Sequence, residues 1–257
     1  MNKIVFTGTA PGFPVENRAC SSFILQIGSK LYQFDAGEGF SGSALKHKIK
    51  YNNIEKIFIS HLHPDHIAGL FLELQLMYLS KRSKSLDIYV PPEALKELEK
   101  ATNLFYLFKE KFPFRFRFKP LKSNPIYRST HFSLYAYRNL HLNDNKQIIK
   151  KCRKPNKMQS YSFIIRLKDK RILYSGDIKS ENDIAGLLDN VHTAIVEGFH
   201  IDFEALFTVC ANNNVRRLVI THLDEKLFDN PMSLFKIAKK VGLKKLLIAY
   251  DGIQLRL

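Results

Sequence analysis

Ser60-His61-Leu62-His63-Pro64-Asp65-His66 gathers three histidines and an aspartate directly behind the apolar run Ile57-Phe58-Ile59. Side chains alternate along an extended chain, so His61 and His63 face the same way and can share one cation. Pro64 then turns the chain and carries Asp65 and His66 to a second position nearby. It also disfavours the helix that a His-Glu-x-x-His pair needs. Imidazole and carboxylate donors together suit zinc, and they also accommodate manganese or iron. Three readings compete for the stretch: a metal site, a proton-shuttling cluster without metal, and a polar loop that is merely rich in histidine.

Further donors stand at the ends of strand-like runs. His141 follows Tyr135–Leu140, Asp177 closes Tyr174-Ser175-Gly176-Asp177, and His222 closes Val219-Ile220-Thr221-His222. A carboxylate can bridge two cations, and Asp177 is the natural candidate for that place. His47 lies among lysines, His131 opens a strand and His192 has no donor neighbours, so these three are expected at the surface or at strand ends.

The chain has 257 residues, enough for one large domain or two small ones. Forty basic residues against 24 acidic ones give a net charge of +16, which favours an anionic substrate or partner. No apolar run approaches the roughly twenty residues of a membrane helix. The opening MNKIVFTGTAPG reaches Gly and Pro too soon for a secretory segment, so a first strand and a cytoplasmic location are expected. Cys20, Cys152 and Cys210 are odd in number and form no CxxC pair. They are expected to be buried and inert.

Strands are expected over Lys3–Thr7, Ser22–Ile27, Lys30–Phe34, Lys56–Ser60 and Asp87–Val90, with helices over Phe40–Lys50, Ile67–Ser80 and from Pro91 to about Lys111. The second half repeats the style. Its strands are Phe114–Lys119, His131–Arg138, Ser160–Arg166, Arg171–Ser175, Val191–Val196, Arg216–Thr221 and Lys245–Ala249, with helices Phe203–Asn212 and Pro231–Val241. The Phe112–Phe118 stretch alternates Phe with Arg, which reads as a core strand rather than a platform for RNA. Two strand-rich halves flanked by helices, without a linker, suggest a single α/β domain over 1–257 built as a four-layer αββα sandwich.

With HLHPDH followed by a later His, a Ser-Gly-Asp after one strand and a Thr-His after another, the sequence resembles the metallo-β-lactamase superfamily over essentially its whole length. The resemblance implies that His61, His63 and His141 hold one metal and that Asp65, His66 and His222 hold a second, with Asp177 bridging. Two zinc ions are implied, manganese or iron being alternatives. The opening Gly8-Thr9-Ala10-Pro11-Gly12, with Phe34-Asp35-Ala36-Gly37-Glu38-Gly39, is similar to the tRNA 3′-processing endonuclease (tRNase Z) group and its phosphodiesterase relatives. Asp35 and Glu197 are expected behind the ligands, orienting them.

Two departures separate the chain from the tRNA processors. Between His141 and Asp177 only the short basic run Lys146–Lys154 stands where that group carries a long tRNA-gripping arm. Val196-Glu197-Gly198-Phe199-His200 replaces the group's Glu-Ala-Thr, and no later His-Ser-Thr follows. His200 either supplies the missing acid or caps the helix near Asp202. The resemblance therefore implies a binuclear phosphodiesterase acting on a small or cyclic nucleotide by metal-hydroxide attack, with Asp65 and His200 as catalytic candidates. Arm-less relatives include phage enzymes that destroy cyclic-nucleotide defence signals, and these are commonly homodimers. Alternatives are a tRNA 3′-processing endoribonuclease, a non-catalytic nucleotide- or RNA-binding module, and a thioester or lactone hydrolase on the same fold.

Overall fold

The computed structural model describes residues 2–122 and 124–257. The chain forms two compact units: one runs through Leu121 and takes in Tyr250–Leu257, the other is Lys122–Ala249. Among the described residues, no helix is long and apolar enough to cross a membrane.

Numbering the elements in chain order, the first unit contains β1 (Lys3–Gly8), β2 (Ser22–Ile27), β3 (Lys30–Phe34), β4 (Ile54–Phe58), β5 (Leu86–Val90), β6 (Phe116–Pro120) and β14 (Gln254–Arg256). They make one sheet in the order β14-β1-β2-β3-β4-β5-β6. Pairing is antiparallel from β14 to β3 and parallel from β3 to β6. Its helices are α1 (Phe40–Lys46), α2 (Pro64–Ile67), α3 (Leu70–Leu79) and α4 (Leu95–Leu104). Ile57, Ile88 and Phe116 on the strands pack with Phe40, Leu74 and Met77 on the helices. Phe34 pairs with Phe58, so the chain leaving β3 at Asp35 and the chain leaving β4 at Ile59 depart from one edge of the sheet.

The second unit contains β7 (Tyr127–Arg128), β8 (Phe132–Asn139), β9 (Ser160–Leu167), β10 (Arg171–Tyr174), β11 (Thr193–Glu197), β12 (Arg217–Thr221) and β13 (Leu246–Ile248), ordered β13-β12-β11-β10-β9-β8-β7. It too runs antiparallel from β7 to β10 and then parallel from β10 to β13. Its helices are α5 (Lys146–Lys151), α6 (Asn182–Ala185), α7 (Phe203–Asn212), α8 (Glu225–Asp229) and α9 (Met232–Lys240). Leu206, Phe207 and Leu234 on the helices pack onto Ala194, Leu218 and Ile220. In sheets of this kind, ligands gather beyond the carboxyl ends of parallel strands, next to the place where strand direction changes.

Several elements differ from their expected bounds. The helix expected over Ile67–Ser80 is broken at Ala68-Gly69 into α2 and α3. Gly69 is pressed against the main chain of Gly37: a Cβ there would lie 2.1 Å from the Gly37 oxygen. Pro64 does open a short helix, occupying its first turn, where its missing N–H costs nothing. Leu72 on α3 is exposed. The helix from Pro91 stops at Leu104 and that from Phe40 stops at Lys46. Both ends close in the same way: a left-handed residue (Tyr106, φ 58; Lys48, φ 55) lets the next N–H return to the carbonyl of Thr102 or Ala44. Helix α7 agrees with expectation, with Asp202 capping it by accepting the Ala205 N–H at 2.8 Å. Arg115 and Arg117 are solvated while Phe114 and Phe116 are buried, as the alternation requires. Cys20 and Cys210 are buried, and burial pushes their thiols up to about 11 and about 12. Cys152, by contrast, is exposed after α5.

Candidate functional site

In the first unit the site is built on two neighbouring strand ends. Asp35 leaves β3 in the left-handed region (φ 55) and is completely buried. Its Oδ1 accepts the Ser60 N–H at 2.6 Å, and its Oδ2 accepts the Ser60 hydroxyl at 2.8 Å and His66 Nδ1–H at 2.8 Å. One carboxylate thus ties the start of the histidine stretch to its end. Because His66 donates through Nδ1, the lone pair lies on Nε2, 3.3 Å from Asp65 Oδ2. His61 Nδ1 meets the Ser60 hydroxyl at 3.1 Å. The donor atoms of His61 and His63 lie within 4.8 Å of each other, and the His61 and His66 ring centres are 4.1 Å apart. The backbone is equally fixed: Ala36 N–H bonds His66 O at 2.8 Å, and Gly69 N–H bonds Ala36 O at 2.9 Å. A Cβ on Gly37 would fall 2.2 Å from the Asp65 carbonyl oxygen, so the turn after Asp35 admits only glycine against that loop.

In the second unit, Asp177 follows β10 through Gly176, which takes φ 56. Asn139, buried at the end of β8, donates its amide to Asp177 O at 2.9 Å and to Ser162 Oγ at 3.1 Å. Asp183 Oδ2 accepts both Leu140 N–H (3.2 Å) and Lys179 N–H (2.8 Å), joining the His141 turn to the Asp177 loop. His222 caps β12 at φ 59, a backbone state that non-glycine residues adopt at a cost and that clusters at functional sites. Three imidazole nitrogens converge on Asp177 Oδ2: His222 Nε2 at 3.6 Å, His141 Nε2 at 3.7 Å and His200 Nδ1 at 3.8 Å.

Those separations test whether the residues fit a cation. A hydrogen bond would bring N and O to about 2.7–3.2 Å. Ligands of one tetrahedral zinc, each bound at about 2.0–2.2 Å, stand about 3.3–3.6 Å apart. The Asp177 contacts are too long for shared protons and close to the spacing of shared metal, and the donors are those zinc prefers. The residues fit.

Glu197, buried at the end of β11, accepts the N–H groups of Phe199 (2.6 Å) and His200 (2.9 Å) through Oε2, while its Oε1 lies 3.3 Å from His200 Nδ1. His200 therefore stands with His141, its ring centre 4.8 Å away, and does not cap α7, a place Asp202 holds. His131 is exposed, His47 ends α1, and His192 bonds Thr193 at the opposite end of β11, outside the donor clusters. Ser60, Asn139 and Asp183 were not anticipated. Ser60 signals itself only as a polar residue next to a ligand and Asn139 only as one at the end of an apolar strand, while Asp183, on α6, carries neither mark.

A profile of the family described as Anti-Pycsar protein Apyc1 matches residues 2–227. A ribonuclease Z of Archaeoglobus fulgidus is 25% identical, covering 98% of this chain and 97% of its own. A ribonuclease Z of Crocosphaera subtropica is 35% identical over 51% of this chain, and the chain spans 42% of that relative's length. Among solved structures, the metallo-β-lactamase fold protein YhfI of Bacillus subtilis superposes with a TM-score of 0.79 at 19% identity over all of both chains. The short form of human tRNase Z gives a TM-score of 0.74 at 20% identity, covering 99% of this chain and 98% of that one. The chain has the metallo-β-lactamase fold, in the α/β class expected of it. Its relatives and its His/Asp clusters make it a metal-dependent phosphodiester hydrolase. With the profile running over most of its length, the chain belongs to the Anti-Pycsar protein Apyc1 family.

Proposed function

We propose that the chain hydrolyses a small or cyclic nucleotide phosphodiester at a binuclear metal site. His61, His63 and His141 would hold one cation and Asp65, His66 and His222 the other, with Asp177 shared between them and zinc as the resident ion. The convergence of His141, His200 and His222 on one Asp177 oxygen carries this reading. When bound, the cations supply an activated water and neutralise charge on the phosphoryl oxygens.

The protein's own groups do the rest. Asp35 and Ser60 fix the tautomers of His66 and His61. Asp65, beside His66, takes up a proton from the attacking water. His200, oriented by Glu197, holds the proton for the departing oxygen. The small substrate is supported by the short connection from His141 to Asp177, which holds one turn, α5, β9 and β10. Its lysines 146, 150 and 151 sit on a two-turn helix rather than a long arm. A homodimer in the cytoplasm belongs to the same reading, and analytical ultracentrifugation tests the assembly.

A second reading, tRNA 3′-end processing, is favoured by the Archaeoglobus fulgidus ribonuclease Z, matched over 97% of its length. One experiment separates the two. Zinc-loaded protein is given 2′,3′- and 3′,5′-cyclic nucleotides and, in parallel, a precursor tRNA with a 3′ trailer. Turnover of a cyclic nucleotide is expected. Trailer cleavage with every cyclic nucleotide untouched would reverse the order. His63→Ala and Asp177→Ala proteins should keep their circular dichroism spectrum yet lose zinc and turnover together; full activity in either refutes the ligand set.

A further inference from the structure

Phe199 stands out in the second unit because nothing in the chemistry above uses it. Its side chain is 49% exposed although it adjoins His200 in sequence. The ring is edge-on to His200, with centres 5.1 Å apart at 72°, and edge-on to His222, 6.3 Å apart at 87°. Its backbone is not free to withdraw: the N–H is held by Glu197 Oε2 at 2.6 Å. The preceding Gly198 leaves no room for a side chain, a Cβ there falling 2.6 Å from Leu223 and 2.8 Å from Ile220. A single exposed phenylalanine is ordinary on a protein surface. A phenylalanine pinned by its backbone and held upright by two site histidines is a fixed aromatic face beside the reacting centre.

We infer that Phe199 is the platform on which the substrate's nucleobase stacks. This rests on the nucleotide reading above and deepens it. Every base has a π-face, so stacking holds any nucleotide next to Asp177 and His222 without reading a particular base. The phosphate is then drawn toward the donor cluster while the base lies over Phe199. Such an interaction is made equally in ground state and transition state, so its loss appears in KM and leaves kcat in place.

The test compares wild type with Phe199→Ala, Phe199→Leu, Phe199→Trp and Phe235→Ala, the last removing an exposed phenylalanine of α9. Each protein is zinc-loaded, checked for zinc content and circular dichroism, and assayed on 3′,5′-cyclic nucleotides and on the base-less cyclic phosphate of 1,3-propanediol. Phe199→Ala should raise KM for the nucleotides by about 5- to 150-fold, the range that base–aromatic stacking spans. Phe199→Leu, with bulk but no π-face, should do much the same. Phe199→Trp should match or improve on wild type, Phe235→Ala should change nothing, and KM for the base-less diester should stay within about twofold throughout. Equal effects of Phe199→Ala on both substrates would mean the ring only props the histidines, and would overturn the inference. Should wild type turn over no cyclic nucleotide, the functional reading fails. The stacking is then decided by calorimetric binding of nucleoside monophosphates, where equal affinity of wild type and Phe199→Ala refutes it.

Discussion

Replacing Glu73 with glutamine should stabilise the protein in alkali and do little in mild acid. Glu73 lies on α3 and is fully buried. Its Oε2 accepts one hydrogen bond, from Gln33 Nε2 at 2.9 Å, and the same nitrogen donates to Asp35 O at 3.0 Å. Burial pushes the carboxyl up to about 8 from its ordinary 4.5; the Gln33 bond and the more distant Arg82 charge only partly oppose this. Between those two pH values the unfolded chain has lost a proton that the native protein still holds. Stability therefore falls as pH rises from 4.5 to about 8, by about 1.4 kcal/mol per unit, and levels off above. The accumulated loss is about 3 kcal/mol at pH 7 and about 5 kcal/mol in alkali.

Glutamine has the same shape, accepts the same bond and never ionises. The difference in stability between E73Q and wild type should thus grow by about 4 kcal/mol from pH 5 to pH 9. Protonation of the donor residues affects both proteins alike and cancels in that difference. The chain has no tryptophan, so urea unfolding is best followed by far-ultraviolet circular dichroism at each pH. Parallel pH curves for the two proteins would show that Glu73 ionises normally, and the reasoning from its burial would fail.

Other outcomes follow from the same contacts. Asp35→Asn places an amide where three donors now converge, and zinc affinity should drop about 10- to 100-fold in chelator competition. His200→Ala should lower kcat about 10²- to 10⁴-fold for a nucleotide, whose leaving alkoxide needs a proton. The loss should be slight for a p-nitrophenyl diester, whose leaving group needs none; equal losses would remove His200 as the acid. Gly69→Ala should drive a methyl into the Gly37 carbonyl, costing about 1–3 kcal/mol in urea unfolding, and zinc should bind more weakly because Gly37 packs on Asp65.

Strands β2 and β3 and helix α7 were legible to the residue, because apolar alternation between Gly and Asn turns, and Asp202 before an apolar helix, are local signals. Helix ends were not. Helices α1, α3, α4, α5 and α7 all finish through a left-handed residue, and in each it is lysine, tyrosine, arginine or asparagine rather than glycine: Lys48, Lys81, Tyr106, Arg153 and Asn214. The turn geometry is the ordinary one, but the residue that advertises it is missing. Among the described residues, only α9, closed by Gly242, carries the usual mark. Strand β14 was invisible for a different reason. It owes its place to pairing with β1 some 250 positions earlier, as Lys3 with Arg256, and has one buried side chain, Leu255. The seven proposed ligands could be named from the sequence because each belongs to a short motif that follows a strand. Of the groups around them, Asp35 and Glu197 were expected, whereas Ser60, Asn139 and Asp183 were not: their bonds to Asp35, Asp177 and Leu140 span 25, 38 and 43 positions, and Phe199 is an exposed aromatic with no periodicity to betray it.

The division of the chain has a consequence for the order in which it can assemble. Lys122–Ala249 is continuous, whereas the other unit is interrupted by it and completed by Tyr250–Leu257. On a ribosome, β1 must wait through the synthesis of the whole intervening unit before β14 can cover its edge. During that interval Thr9 and Ala19 also lack Asp251, whose carboxylate oxygens receive their hydrogen bonds at 2.7 Å each. The unit that supplies the histidine stretch is therefore the last to close, and an exposed strand edge is the hazard that nascent chains of this protein carry for longest.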